Sequence, residues 1–414
     1  MDIVYRCCAG LDIHKKTVVA CVRRVDAAGH VCQDVRTFGT MTCHLLALCD
    51  WLVEQGVEQV AMESTGVYWK PVFNILESHL AVLLVNAQHI KQVPGRKTDV
   101  KDCAWIAQLL QHGLLRASFV PPPPIRELRD LTRQRAQLVA EKSAAANRIQ
   151  KVLEDANIKL ACVASDVLGV SGRDMLEAII AGEEDAEKLA NKARRRMRQK
   201  IPQLQTALQG RVTAHHRFQL RILLDHVTHL EALIGRLGGR IEDIMVPFAE
   251  AAERLTTIPG VEQRTAEILI AEVGTDMNQF PTAEHLASWA GMCPGNNESA
   301  GKRKSGRTTK GSRWLRQALT QAAWAASHTK DTYLAAQFRR LAARRGKKRA
   351  LVALGHTVVV IAYHLLKQGT TYHELGGDFL ERLNPERLTR QLVKRLEKLG
   401  HRVKLEPMPD AACA

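Results

Sequence analysis

The chain lacks any uninterrupted apolar stretch of the ~18 to 20 residues that a membrane helix needs. Its first residues, MDIVYRCCAGLDIHKK, put an acid at position 2 and carry only a short apolar run, which does not fit a secretory leader. An intracellular protein is the expectation. The ten cysteines, at 7, 8, 21, 32, 43, 49, 103, 162, 293 and 413, contain no CxxC pair, and the sixteen histidines contain no HExxH. A disulfide framework and zinc chemistry are both disfavoured. Free thiols in a reducing compartment are the simpler reading.

Acidic residues are missing from one place above all. The 414 residues carry 59 Lys and Arg against 43 Asp and Glu, a net charge of +16. Residues 302–349 hold 15 of those bases against the single acid Asp331, so nearly the whole excess sits in one window. Like charges so crowded repel, and a polyanionic partner is the natural reason to keep them. The run KRKSGRTTKGSRWLR mixes cations with small residues, hydroxyls and Trp314, the mixture that grips phosphate backbones. Core packing is the expectation for Trp69, Trp105 and Trp289, with Trp314 left as the base-stacking candidate.

Residues 4–120 read as α/β. CCAGLDI and TVVACVRRV are β-rich runs resembling an opening hairpin, HLLALCDWLVEQG is helical, VEQVAME and AVLLVN are strands, and TDVKDCAWIAQLLQHG is a helix with Thr98 as N-cap. That order predicts a mixed sheet flanked by helices. Prolines 121–124 mark a boundary. From Ile125 to Ile158 there is neither proline nor glycine; Leu131, Leu138, Ala145 and Val152 repeat every seven residues beside a partly polar row of Leu128, Arg135, Lys142 and Ile149. A cleaner seam runs from Leu220 through Leu223, Val227, Leu230, Ile234, Leu237 and Ile241 to Ile244. Such seams belong to a coiled coil or a long helical hairpin, within one chain or between two. Residues 160–210 read as an inserted helical element. IPGVEQRTAEILIAEVG suggests either a helix–hairpin–helix offering amides to phosphate or an ordinary helical hairpin. The organisation expected is an α/β domain over 1–120, a helical region over 121–250, a mainly helical domain over 251–370 and a charged tail over 371–414.

Four acids stand out by placement. Asp12 interrupts an apolar strand, Glu63 ends another, and Asp99 and Asp102 lie three apart at the start of one helix. Acids from strands and a helix start can converge on two divalent ions ~3.5 to 4 Å apart for phosphodiester chemistry. Hard ions such as Mg²⁺ favour oxygen ligands.

With these residues in view, GLDIHKK, AMESTGVYWKP and GRKTDVKDCAWIAQLL, followed by IPGVEQRTAEILIAEVG and CPGNNESAGKRKSGRTTKGSRWLRQAL, resemble the signatures of the DEDD-type insertion-sequence transposases over residues 5–370. The resemblance implies a RuvC-like, RNase H-like first domain. Its metal-binding acids fall on Asp12, Glu63, Asp99 and Asp102, with Mg²⁺ or Mn²⁺ as cofactor. It implies a serine nucleophile in the second domain, falling on Ser299, with Ser305 in the same loop as competitor. It further implies a bacterial, nucleoid-associated cytoplasmic enzyme that joins donor and target DNA under a structured bridge RNA. Such an enzyme acts as a dimer of dimers, with acids and serine from different protomers. Lys302, Arg303, Lys304, Arg307, Lys310 and Arg313 are the expected nucleic-acid contacts. Two other readings remain: a RuvC-like, Mg²⁺-dependent junction or repair nuclease working through water, and a non-catalytic nucleic-acid-binding protein.

Overall fold

A computed structural model describes residues 2–64, 66–86, 102–295, 297–299, 301–383 and 385–406, with backbone alone for 297–299, 302–305 and 387. The chain divides into two compact units, Met1–Val120 and Pro121–Ala414.

The first unit is a five-stranded sheet in the order β3-β2-β1-β4-β5. Strands β1 (Cys7–Ile13), β2 (Thr17–Val25) and β3 (Val31–Gly39) form an antiparallel meander, and β4 (Gln59–Glu63) and β5 (Ala81–Val85) run parallel to β1. β3 is an edge strand, and its residues Cys32, Gln33, Asp34 and Arg36 lack the clean apolar alternation that announces a strand, so composition hides it.

Alternation assigns the two faces. Ala9, Leu11 and Ile13 of β1, Val18, Ala20 and Val22 of β2, and Val60 and Met62 of β4 pack under α1 (Thr42–Glu54) and α2 (Trp69–Leu76). Cys8, Cys21, Ala61 and Val85 pack on the opposite side under α3 (Asp102–Gln111). A mixed sheet of this order with helices on both faces fits an RNase H-like α/β domain.

The second unit is helical. Helix α4 (Pro123–Asp155) opens with prolines at its first positions, where no N–H is missed. It packs antiparallel to α9 (Ala214–Met245): His216 meets Asp155 near one end, and Glu231 meets Lys142 about four helical turns further along. The seam is thus satisfied within the chain over its first half. Leu220, Val227 and Leu230 are buried, whereas Ile234 and Leu237 are only half-buried, beside Gly235, Gly238 and Gly239. On α4 both rows contribute to the inside: Leu128, Arg135 and Ile149 of the partly polar row and Ala145 of the other are buried, while Leu131, Leu138, Lys142 and Val152 are only partly covered.

Residues 160–210 cap the end of this pair. Helices α5 (Leu160–Val163), α6 (Val170–Ala181), α7 (Ala186–Ala190) and α8 (Ile201–Ala207) bring Leu160, Met175, Ile179 and Leu204 onto Ile149, Leu153, Leu220 and Leu224 as one core.

Helices α10 (Ala249–Thr256), α11 (Gln263–Val273) and α12 (Ala283–Trp289) lead to a hairpin of β6 (Asn297–Ser299) and β7 (Lys302–Ser305). Then come α13 (Arg313–His328), α14 (Tyr333–Arg345) and α15 (Lys347–Gln368). By length and composition α15 is apolar enough to cross a bilayer. It instead buries Leu354, Val358, Val359 and Ala362 in the helical core, and its Tyr363 hydroxyl donates to the Phe280 carbonyl at 3.0 Å. In the charged tail, α16 (Phe379–Arg382) and α17 (Pro385–Lys398) follow, with Leu392 and Leu396 exposed.

Candidate functional site

Two carboxylates are brought together by strand register. β1 and β4 are parallel neighbours with Gly10 beside Ala61 and Leu11 beside Met62, so one further step sets Asp12 beside Glu63 at the C-terminal ends of both strands. The two share a face, because Asp12 pairs across β2 with Val19 and Glu63 pairs across β5 with Val85, both on the α3 side. Both acids are half-buried.

Helix α3 supplies the third acid, and a glycine fixes where. A Cβ on Gly10 would lie 2.3 Å from the Cys103 carbonyl and 2.4 Å from the Ala107 nitrogen, so the helix backbone rests directly on β1. The Cys8 thiol donates to the Ala107 carbonyl at 3.5 Å, and the nitrogens of Val4 and Tyr5 donate to the Gln111 carbonyl. The helix therefore runs against the direction of β1, from Ala107 over Cys8 to Cys103 over Gly10. Its first residue, Asp102, lies at the end where Asp12 emerges. Asp102 is exposed, and the Asp12 Oδ2 lies 3.1 Å from the His14 Nε2.

This donor set is oxygen throughout and sits at a strand-end and helix-start junction, which suits a hard divalent cation. Among the described residues no three His, Cys, Asp or Glu side chains close on a single point. Asp99 and the N-cap candidate Thr98 lie outside the described residues.

The expected serine loop is a β-hairpin. Ser299 pairs with Lys302 at the tip, across the turn that contains Gly301 at φ 73°. Ser305 pairs with Asn297 at the other end, beyond a bulge. The ribbon is prolonged toward its base by the Gly295 nitrogen donating to the Arg307 carbonyl at 2.7 Å and by a Pro294–Thr308 bridge. Two glycines seat that base: a Cβ on Gly311 would lie 2.4 Å from the Gly291 nitrogen, so the incoming and outgoing strands touch backbone to backbone. The two serines thus occupy different ends of one ribbon. Lys302, Arg303 and Lys304 follow on β7, while Arg307, Lys310 and Arg313 are exposed beyond it. The Arg313 guanidinium lies 4.3 Å from the centre of the half-buried Trp314 ring.

Sequence reasoning missed the polar core beneath this hairpin. Glu272 on α11 is fully buried, and Arg133 of α4 grips it with both prongs at 2.7 and 2.8 Å. The Ser312 hydroxyl donates to the same carboxylate at 2.9 Å and also caps α13 by accepting from the Leu315 nitrogen. Arg129 donates to the Ala271 and Glu272 carbonyls at 3.0 and 2.6 Å, and burial lowers its pKa to about 10, the Glu272 charge opposing that shift. One helical position away, Arg135 meets buried Glu267 at 2.5 Å. A signal did exist: three arginines spaced four and two apart on one helix, of which only Arg135 entered the heptad reading. The proline–glycine turn likewise serves packing. Gly260, at φ 83°, abuts α13, where a Cβ would lie 2.4 Å from the Ala322 carbonyl, and exposed Glu262 stands at the start of α11. That arrangement favours the ordinary helical hairpin over a phosphate-binding one. Trp324, 55% exposed and 4.4 Å from the His328 ring, is a surface aromatic hidden in an alanine-rich helix that reads as core.

An RNase H-like sheet with strand-end acids and a separate cationic helical region define a nucleic-acid-processing class. The comparisons narrow it. The DEDD family described as Transposase, of the IS110 type, matches residues 9–158, and the family described as Transposase IS116/IS110/IS902 matches residues 252–339. The chain belongs to the IS110 family of DEDD transposases, whose members are DNA-cleaving and rejoining enzymes. It is 24% identical over 322 residues to the transposase for insertion sequence element IS1111A of Coxiella burnetii, covering 76% of this chain and 79% of that one. It is 34% identical over 120 residues to an uncharacterized 43.6 kDa protein of insertion element IS110 of Streptomyces coelicolor, covering 28% of this chain and 29% of that protein. A third likeness, 27% over 154 residues, is to the pilin gene-inverting protein of Moraxella bovis, covering 36% and 48%.

Proposed function

We propose that this protein is a DNA transposase or site-specific recombinase that cuts and rejoins strands through a serine–phosphodiester intermediate, assisted by divalent metal and guided by a structured bridge RNA. The observation that carries the reading is the register of β1 against β4, which sets Asp12 beside Glu63 on the face where α3 begins. With Asp99 and Asp102 these residues would hold Mg²⁺ or Mn²⁺. Such ions, when bound, act as Lewis acids on a phosphoryl oxygen and favour an in-line displacement.

The protein's own groups divide the work. Half-burial of Asp12 and Glu63 limits water around the acids. The Ser299 hydroxyl, at the tip of a ribbon, is the nucleophile on phosphorus, and its proton passes to a base or solvent as the 3′ or 5′ leaving oxygen departs. A serine hydroxyl is a weak nucleophile unless positive charge or a base assists it. Lys302, Arg303 and Lys304 follow it directly and would offset charge on the phosphoryl oxygens, with Arg307, Lys310 and Arg313 on the flanking backbone. The covalent serine ester conserves bond energy for rejoining. Ser299 is preferred over Ser305 because a hairpin tip reaches a duplex where its far end does not. Oligomerisation, as a dimer of dimers, would bring acids and serine together from different protomers.

The test is strand exchange between donor and target duplexes with Mg²⁺ and the RNA encoded beside this reading frame, each omitted in turn. Products are expected only when protein, metal and RNA are all present. Recombination at equal yield without RNA would remove the guided reading, and cleavage without rejoining would leave a nuclease.

A further inference from the structure

At the base of the β6–β7 hairpin lies a cavity of about 890 Å³, walled on one side by Pro294, Arg307 and Thr308 of the ribbon. Its rim carries Arg316 of α13 together with Lys348 and Arg349 from the first turn of α15, and no carboxylate is among the described residues lining it. Its floor is apolar, formed by Met292, Val352 and Ala353. Met292 is buried, its Cε lying in the space that a Cβ on Gly355 would take. Gln337 on the wall donates through Nε2 to the Thr357 hydroxyl at 3.0 Å, while its Oε1 is buried within the protein, closed to the cavity and without a hydrogen-bond partner among the described residues. Turning the amide over would only exchange which end is orphaned.

We propose that this cavity receives one unpaired nucleotide of a nucleic-acid strand, its phosphates at the Arg316–Lys348–Arg349 rim and its base on the Met292–Val352–Ala353 floor. The chemistry excludes simpler occupants. A bare phosphate would leave the apolar floor bare, and an apolar ligand would leave four lining cations, Arg307 among them, facing it. The size is within the ~300–1,000 Å³ of pockets that enclose a small molecule. A base-paired nucleotide presents neither its face nor its Watson–Crick edge, so the occupant is one out of its stack. The floor includes Pro294's neighbour Met292, and Pro294 lies five residues from Ser299, at most about 18 Å along the chain. A nucleotide held here would therefore fix the strand near the ribbon tip. The inference rests on the reading of this protein as a nucleic-acid enzyme and adds a named subsite to it.

The full-length protein would be titrated with strands of roughly 12 nucleotides, a span within that of single-strand grooves. Each strand carries one central 2-aminopurine, in DNA and RNA versions, and is offered alone, fully paired, or paired opposite a one-base bulge that leaves the probe unpaired. The bulged and single strands are expected to bind roughly tenfold more tightly than the perfect duplex at matched salt, with a change in probe fluorescence. Ala353→Trp, which fills the floor, should erase that preference while holding perfect-duplex affinity within about twofold. Arg316→Gln, at an exposed helix position that folding does not depend on, should weaken the unpaired forms alone. The DNA and RNA arms show which strand supplies the nucleotide. Equal affinity for paired and unpaired strands, or a preference that survives both variants, overturns the subsite and leaves the recombinase reading standing. Failure to bind any of the strands overturns both.

Discussion

Gly10 shows how much a single small residue decides in the first unit. It allows α3 to lie on β1 at backbone contact, and that contact brings the start of α3 to the end of the strand where Asp12 sits. Gly10→Val should destabilise the protein by about 3 kcal/mol, the upper range for overpacking, and push the helix outward. Urea unfolding midpoints check the first effect. Loss of metal-dependent cleavage without loss of duplex binding checks the second. Unchanged cleavage in a folded Gly10→Val protein would disconnect the helix position from the chemistry. At this scale the sequence was informative about acids, because Asp12 and Glu63 interrupt apolar strands in plain view. It was silent about Gly10, whose importance depends on a helix some ninety residues away in the chain. The buried thiols carry no such role: burial pushes Cys8 up to about 12 and Cys21 to about 11, so neither forms the reactive thiolate near neutrality.

Among the elements, the long helix α4 is more than a spacer. Its Arg133 and Arg129 reach Glu272, and through Glu272 they hold Ser312, the cap of the helix that follows the hairpin. Removing the carboxylate would strand two guanidinium groups in a poorly hydrated place. Glu272→Ala should cost about 3 kcal/mol or more, read from chemical denaturation. Arg133→Ala should cost less, because its side chain retains 34% exposure and Arg129 still faces the acid. Equal costs would mean that the network is not centred on Glu272.

The α4–α9 pair has an acid test of its own. Burial works against ionisation of Glu231, but the hydrogen bond from Lys142 and the Arg173 charge outweigh it and leave its carboxyl below the usual range. The stability this contributes is complete above the unfolded carboxylate value of about 4.3 and fades as pH falls through the lower folded value. Glu231→Gln should therefore lower the thermal midpoint at neutral pH and match the wild type in strong acid. A gap that widens on acidification would contradict the assignment. Periodicity foresaw these helices but could not say which row of α4 is inside, since arginine at a heptad position has no assigned side until its buried glutamate partner is known. The hairpin was hidden for another reason: its glycines, lysines and serines have little strand propensity, and backbone pairing alone makes it a ribbon.

For the whole molecule, charge and chain order were legible from the start. The cationic window and the strand-end acids lie far apart in sequence, and they belong to two separate compact units. No local pattern says how one active site could draw on both, which is why the role proposed for the serine comes from the family resemblance rather than from spacing. The measurement that addresses this most directly is a covalent-adduct trap. Wild-type protein, Ser299→Ala, Ser305→Ala and Asp12→Ala would be incubated with labelled donor and target duplexes, bridge RNA and Mg²⁺, then resolved under denaturing conditions. The account predicts a protein–DNA band in the wild type and in Ser305→Ala, and none in Ser299→Ala or Asp12→Ala. Strand cleavage that persists in Ser299→Ala with no adduct in any lane would contradict it and leave hydrolysis by water as the chemistry.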